Sequence, residues 1–144
     1  MIEIKINGNP ISWKRAARNH EKTYDSQINE KSNIAWIARS QINGLCLTQE
    51  PLKVEFQFYV LPKKIKPTQS LEIDFRKHHR IVDVDNFVKF YFDALKGVLW
   101  YDDSYIYSLK ANKIFSNKPR TLIRFSSIAD DELDEIYREL NNHD

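Results

Sequence analysis

The chain is short of the residues that staple or punctuate unusual architectures. Its single cysteine, Cys46, excludes an internal disulfide and a cysteine zinc cluster. It reads as a small buried side chain at a helix end rather than a nucleophile. Only three glycines and five prolines occur among 144 residues, so low-complexity linkers and glycine-rich phosphate cradles are absent. No apolar run approaches the length of a membrane span. The start, MIEIKINGNPISW, alternates apolar and polar residues and lacks the apolar centre of a signal peptide. These absences lead to the expectation of a cytoplasmic protein without a membrane partner.

What is present suits one compact domain over residues 1–144. Hydrophobic residues make up 42% and aromatic residues 12%, enough for a core and too much for disorder. Folding at this length buries roughly 68% of the surface of the unfolded chain, so no staple is required. The net charge of +2 hides an asymmetry. Residues 130–144 carry −6 and the remainder +8. A basic body favours a polyanion, nucleic acid above all, although a charge balance that serves only solubility explains the same numbers equally well.

Periodicity supplies the elements. Ile2, Ile4 and Ile6 alternate with Glu3 and Lys5 as a half-buried strand, and Asn7-Gly8-Asn9-Pro10 is a turn. The basic, aromatic stretch from Trp13 to Tyr24, with Lys14, Arg15, Arg18, His20 and Lys22, reads as an irregular loop. A helix is expected over residues 29–43, with Ile34, Ile37, Ala38 and Ile42 on one face and Gly44 as its stop. Leu52 to Val60 is a strand whose Val54, Phe56, Phe58 and Val60 face one way. Pro62 and Pro67 bracket Lys63, Lys64 and Lys66. A central helix is expected from Asp85 to Lys96, ended by Gly97, with Asn86, Lys89, Asp93 and Lys96 as one polar stripe. Strands from Tyr105 to Phe115 and from Arg120 to Ser126 flank a turn at residues 116–119, which reads as an antiparallel hairpin. A last helix from Asp131 to Leu140 carries the apolar stripe Leu133, Ile136, Tyr137 and Leu140. The class is therefore α+β: a mixed β-sheet with an antiparallel hairpin, packed with two to three helices.

The chemistry concentrates at Asp83-Val84-Asp85-Asn86. In an extended segment the two aspartates point to one side, where they repel each other unless a cation lies between them. Hard oxygen ligands of this kind suit Mg²⁺ or Mn²⁺. Lys89, one helical turn beyond Asp85, can steady a phosphate or the charge of a transition state. A second pair, Asp102-Asp103, follows the helix, and spacing alone leaves open whether it meets the first. Each piece has a plain structural alternative. One aspartate can cap the helix, Lys89 and Asp93 can be an exposed pair, and Asp102-Asp103-Ser104 can be a surface turn. A calcium loop is excluded, because its sixth and twelfth positions counted from Asp83 are Val88 and Ala94.

The run Asp83-Val84-Asp85-Asn86-Phe87-Val88-Lys89, then Phe92-Asp93-Ala94-Leu95-Lys96-Gly97, then Trp100-Tyr101-Asp102-Asp103-Ser104-Tyr105-Ile106 closely resembles the RusA family of Holliday junction resolvases. The stretch from Gly8 to Tyr24 is similar to that family's looser basic N-terminal segment. The resemblance implies a RusA-like fold and a homodimer that resolves four-way DNA junctions by paired nicks, using Mg²⁺ or Mn²⁺. It implies metal-binding aspartates at Asp83, Asp85 and Asp103 and a catalytic lysine at Lys89, and it matches Asp102 to the first member of the family's Asp-Asp pair as a further candidate. Lys14, Arg15 and Arg18 become candidates for DNA contact, as do Lys63, Lys64, Lys66, Arg76, Lys77 and Arg80. His78 and His79 fit phosphate contact or the site entrance better than metal ligation. Trp13 or Phe75 can stack at the opened junction or belong to the core. Two competing readings are a haloacid-dehalogenase-like phosphatase and a RusA-fold DNA-binding protein that does not cut.

Overall fold

A computed structural model describes residues 1–19, 22–42, 48–62 and 83–142. His20, Gly44, Cys46, Phe75, His78 and His79 lie outside the described residues, as do Lys63, Lys64, Lys66, Arg76, Lys77 and Arg80, with the roles expected of them. In chain order the elements are β1 (Ile2–Asn7), β2 (Ala17–Arg18), β3 (Thr23–Tyr24), α1 (Ile28–Gln41), β4 (Leu52–Val60), α2 (Val84–Leu95), β5 (Ile106–Phe115), β6 (Arg120–Ser127) and α3 (Asp130–Asn141). β2 and β3 form a separate two-stranded ladder inside the stretch read as a loop.

The other four strands make one sheet in the order β1-β6-β4-β5. β4 is one of its two inner strands, and its alternate residues Leu52, Val54, Phe56, Phe58 and Val60 are all buried. Such a strand must be covered on one face, and α1 and α2 supply that cover. Phe58 stacks on Phe87 with ring centroids 5.0 Å apart, and Phe56 lies 5.8 Å from Phe92. Full burial of a phenylalanine contributes about 2–3 kcal/mol, so this aromatic seam is a main source of cohesion.

The α+β class holds, with three helices and a mixed sheet among the described residues. The pairing expected for the last two strands does not. β5 and β6 run in opposite directions, but β4 lies between them, parallel to β5 and antiparallel to β6. α2 is the crossover that parallel pairing requires. The link at residues 116–119 passes over the end of β4, where the Ser116 N–H donates to the Val60 carbonyl at 2.9 Å. Two strand spacings are about 10 Å, which four residues span easily. Local turn chemistry was compatible with both arrangements, and the apolar face of β4 selected the second.

β1 closes the opposite edge through antiparallel pairing with β6. On α1, Ile34, Ala35, Ala38 and the following Ile42 are buried, in line with the expected face. α3 behaves differently: none of its residues is buried, and Tyr137 and Leu140 are 52% and 61% exposed. Its described tether to the sheet is the Lys53–Glu132 ion pair at 2.9 Å. Among the described residues no helix is long and apolar enough to cross a membrane.

Candidate active site

α2 organises the site. Its apolar faces bury Phe87, Val88, Phe90, Tyr91, Ala94 and Leu95, which leaves Asn86, Lys89, Asp93 and Lys96 on the outward stripe. The helix starts at Val84, one residue earlier than periodicity indicated. That start changes the geometry of the aspartate pair. Asp83 is the N-cap, with extended backbone (φ −65°, ψ 140°), and Asp85 already lies in the first turn. The two therefore do not share one side of an extended segment. Asp83 makes no side-chain cap hydrogen bond, whereas Asp85 Oδ1 accepts the Asn86 N–H at 3.0 Å. Both exposed carboxylates stand at the positive end of the helix dipole, which offsets part of their repulsion.

The far end of α2 positions the second acidic pair. Gly97, with φ +78°, turns the chain in a conformation that side-chain-bearing residues avoid. Its N–H donates to the Trp100 carbonyl at 2.7 Å. Trp100 is fully buried, edge-on to Phe92 and Phe125. Its indole Nε1–H donates to Asp103 Oδ1 at 3.0 Å, at the head of a single 3₁₀ turn leading into β5. Burial pushes the Asp103 carboxyl above the ordinary aspartate value. The Trp100 donor and Lys96 pull it back, while Asp102 and Asp93 push it further up. At Asp102 partial desolvation also pushes upward, but Lys96, 3.6 Å away, and the N–H groups of Asp103 and Ser104 outweigh it, so its pKa falls. Asp102 is thus tied to Lys96.

A cleft of about 450 Å³ runs between α2 and β5, lined by Asp85, Lys89, Asp93 and Asp103 over an apolar floor that includes Val88, Phe92 and Leu109. The structure brings Asp85, Lys89 and Asp103 to one groove, and Asp83, the N-cap of α2, is not among the residues that line it. The charges acting on Asp103 are Lys96, Asp102 and Asp93, all at or beyond the C-terminal end of α2, and eight residues of helix, about 12 Å, separate Asp85 from Asp93. Accordingly, no group of three or more His, Cys, Asp or Glu side chains converges on a metal position among the described residues. The donor set nevertheless suits a hard cation. The acidic side chains that line the cleft offer carboxylate oxygens, and Mg²⁺ is commonly held by one or two carboxylates, with substrate phosphate and water completing the shell.

Asp93, read as part of an exposed pair with Lys89, instead faces the cleft and approaches Lys31 of α1 at 3.8 Å. Lys14, Arg15 and Arg18 are exposed on the N-terminal segment. Trp13 packs half-buried against the core, and the Lys89 ammonium stands 3.6 Å from the centre of its ring. Gln27, which sequence reasoning passed over, is 1% exposed. Its only signal was a polar residue just ahead of a helix, where its side chain makes no cap bond.

A family model described as Endodeoxyribonuclease RusA matches residues 7–126, which contain the whole cleft and stop short of α3. A Bacillus subtilis (strain 168) protein named Uncharacterized protein YqaN is 28% identical over 139 residues, spanning 89% of this chain and 97% of its own length.

Proposed function

This chain belongs to the RusA endodeoxyribonuclease family, and on that premise we propose that it resolves four-way DNA junctions as a homodimer. The proposed reaction is a pair of symmetric nicks, dependent on Mg²⁺ or Mn²⁺, leaving 5′-phosphate and 3′-hydroxyl ends. The observation that carries the reading is the cleft that gathers Asp85, Lys89 and Asp103 along one groove.

Asp83, Asp85 and Asp103 are the residues that would hold the metal. When bound, such a cation activates water and polarises the scissile phosphate. The other roles belong to the chain's own side chains. Lys89 places a positive charge at the groove, where negative charge develops as the phosphate is attacked. The Trp100 donor orients the Asp103 carboxylate. The exposed Lys14, Arg15 and Arg18 contact DNA phosphates and set the register of the duplex, and the basic residues between Lys63 and Arg80 are further candidates for phosphate contact by their charge. A two-fold dimer matches the approximate two-fold symmetry of a four-way junction, one site per cut strand.

The test is cleavage of labelled four-way junction, flap and linear duplex, each with Mg²⁺ or with EDTA. Paired, metal-dependent nicks in the junction are expected. Tight junction binding without cleavage would favour a non-cutting DNA-binding protein, and preference for the flap would move the substrate. Asp83→Asn should abolish nicking and preserve junction binding; full activity in that variant removes Asp83 from the metal site.

A further inference from the structure

The N-terminal segment is laid against α2 by an unusually complete set of bonds around one residue. The Trp13 N–H donates to the Asn86 carbonyl at 3.0 Å, in the first turn of α2. Gln27 grips the backbone on either side of it. Its Nε2 donates to the Ser12 carbonyl at 2.8 Å, and its Oε1 accepts the Lys14 N–H at 2.8 Å. The Gln27 backbone N–H is itself held by Asp25 Oδ1 at 2.9 Å. Two residues upstream, the Ile11 N–H donates to the Tyr91 hydroxyl at 3.2 Å. A buried side-chain amide with both ends satisfied is a rigid clamp, because releasing it would strand polar groups away from water.

We propose that Trp13, clamped by Gln27, is the positioning residue for Lys89: its indole face fixes the ammonium at the rim of the cleft, 3.6 Å from the ring centre. A lysine stem is long and flexible, and an exposed one samples many rotamers. The face of an indole is the strongest aromatic seat for a cation. A lysine held there meets a phosphate without first being ordered, which is how fixed geometry raises a rate. This rests on the proposed role of Lys89 in cleavage. It adds that Lys89 depends on a residue distant in sequence, and that Gln27 acts through Trp13.

Two measurements test it. In wild-type protein, NMR of the lysine methylene groups should place the Lys89 Cε protons upfield of the other lysines, through the ring current of Trp13. Trp13→Leu should abolish that displacement and Gln27→Met should reduce it. In single-turnover junction cleavage at saturating enzyme, Trp13→Leu should slow the rate roughly tenfold at unchanged junction affinity, while Trp13→Phe, which keeps a ring, should stay within about threefold. In a Lys89→Ala background Trp13→Leu should cost nothing more. Lys89 protons at ordinary positions in the wild type would overturn the inference, as would rate losses that add to those of Lys89→Ala. Should Lys89→Ala cut as well as wild type, the catalytic role of Lys89 fails, and the NMR displacement still decides whether the ring holds the lysine.

Discussion

Replacing Trp100 by phenylalanine separates the electrostatic support of Asp103 from the packing of the core. The indole is fully buried, and its Nε1–H is a donor to Asp103 at 3.0 Å. Phenylalanine keeps a ring between Phe92 and Phe125 but removes the donor. A hydrogen bond to a charged acceptor contributes about 1.5–3 kcal/mol, against about 0.5–1.5 for a neutral one. With some loss of packing, a destabilisation of about 3 kcal/mol is expected at neutral pH, a fall in Tm of roughly 6–12 °C for a domain of this size. The pH dependence carries the sign. The folded Asp103 pKa is already raised by burial above 3.8, and Trp100 opposes that rise. The stability linked to this group is therefore fully present below 3.8 and is lost as pH rises through the folded value. Without the indole donor the folded pKa climbs further, so the variant loses more as pH rises. Urea unfolding of both proteins across the acid range should show a stability gap that widens from acid to neutral pH. In an Asp103→Asn background the widening should vanish. A gap independent of pH would refute the argument, because it would make Trp100 a packing residue alone.

Two further outcomes follow from buried and paired groups. Tyr91→Phe removes the acceptor for the fully buried Thr121 hydroxyl and for the Ile11 N–H, so urea unfolding should show a loss of about 1–3 kcal/mol without any change in the number of folded species. Asp25 is held below 3.8 by its hydrogen bond from Lys31 and then by the Gln27 N–H, so it stabilises the fold above that value and ceases to as pH falls through the depressed one. The stability difference between wild type and Asp25→Asn should therefore be constant near neutrality and close in strong acid; a difference that grows on acidification would contradict the assignment.

Much of the site was legible along the chain because its parts are local. The stripe of Asn86, Lys89, Asp93 and Lys96 follows from helical periodicity, and α2 displays it outward. Gly97 ends that helix with a positive φ that its lack of a side chain permits. The Asp83–Asp85 pair stood out by its spacing and Asp103 by the family resemblance, and the family match from residue 7 to residue 126 encloses them. What failed was the geometry between them. A one-residue shift in helix start moved Asp85 from a strand-like step into a first turn, since helix boundaries depend on capping and packing as well as on pattern.

Residue types, their spacing and the amphipathic faces of α1, α2 and β4 were set by the chain alone, because periods of two and of 3.6 residues arise from the backbone geometry of single elements. Which strands became neighbours was not. β4 parts β5 from β6 because its buried apolar face favours an inner place in the sheet, a demand that no turn sequence expresses. The seat of Lys89 on Trp13 joins residues more than seventy positions apart, and the grip of Gln27 reaches back across the two short strands to the same residue. Contacts of that kind exist only after the core has formed, since the cost of closing such loops is met by burial elsewhere in the fold.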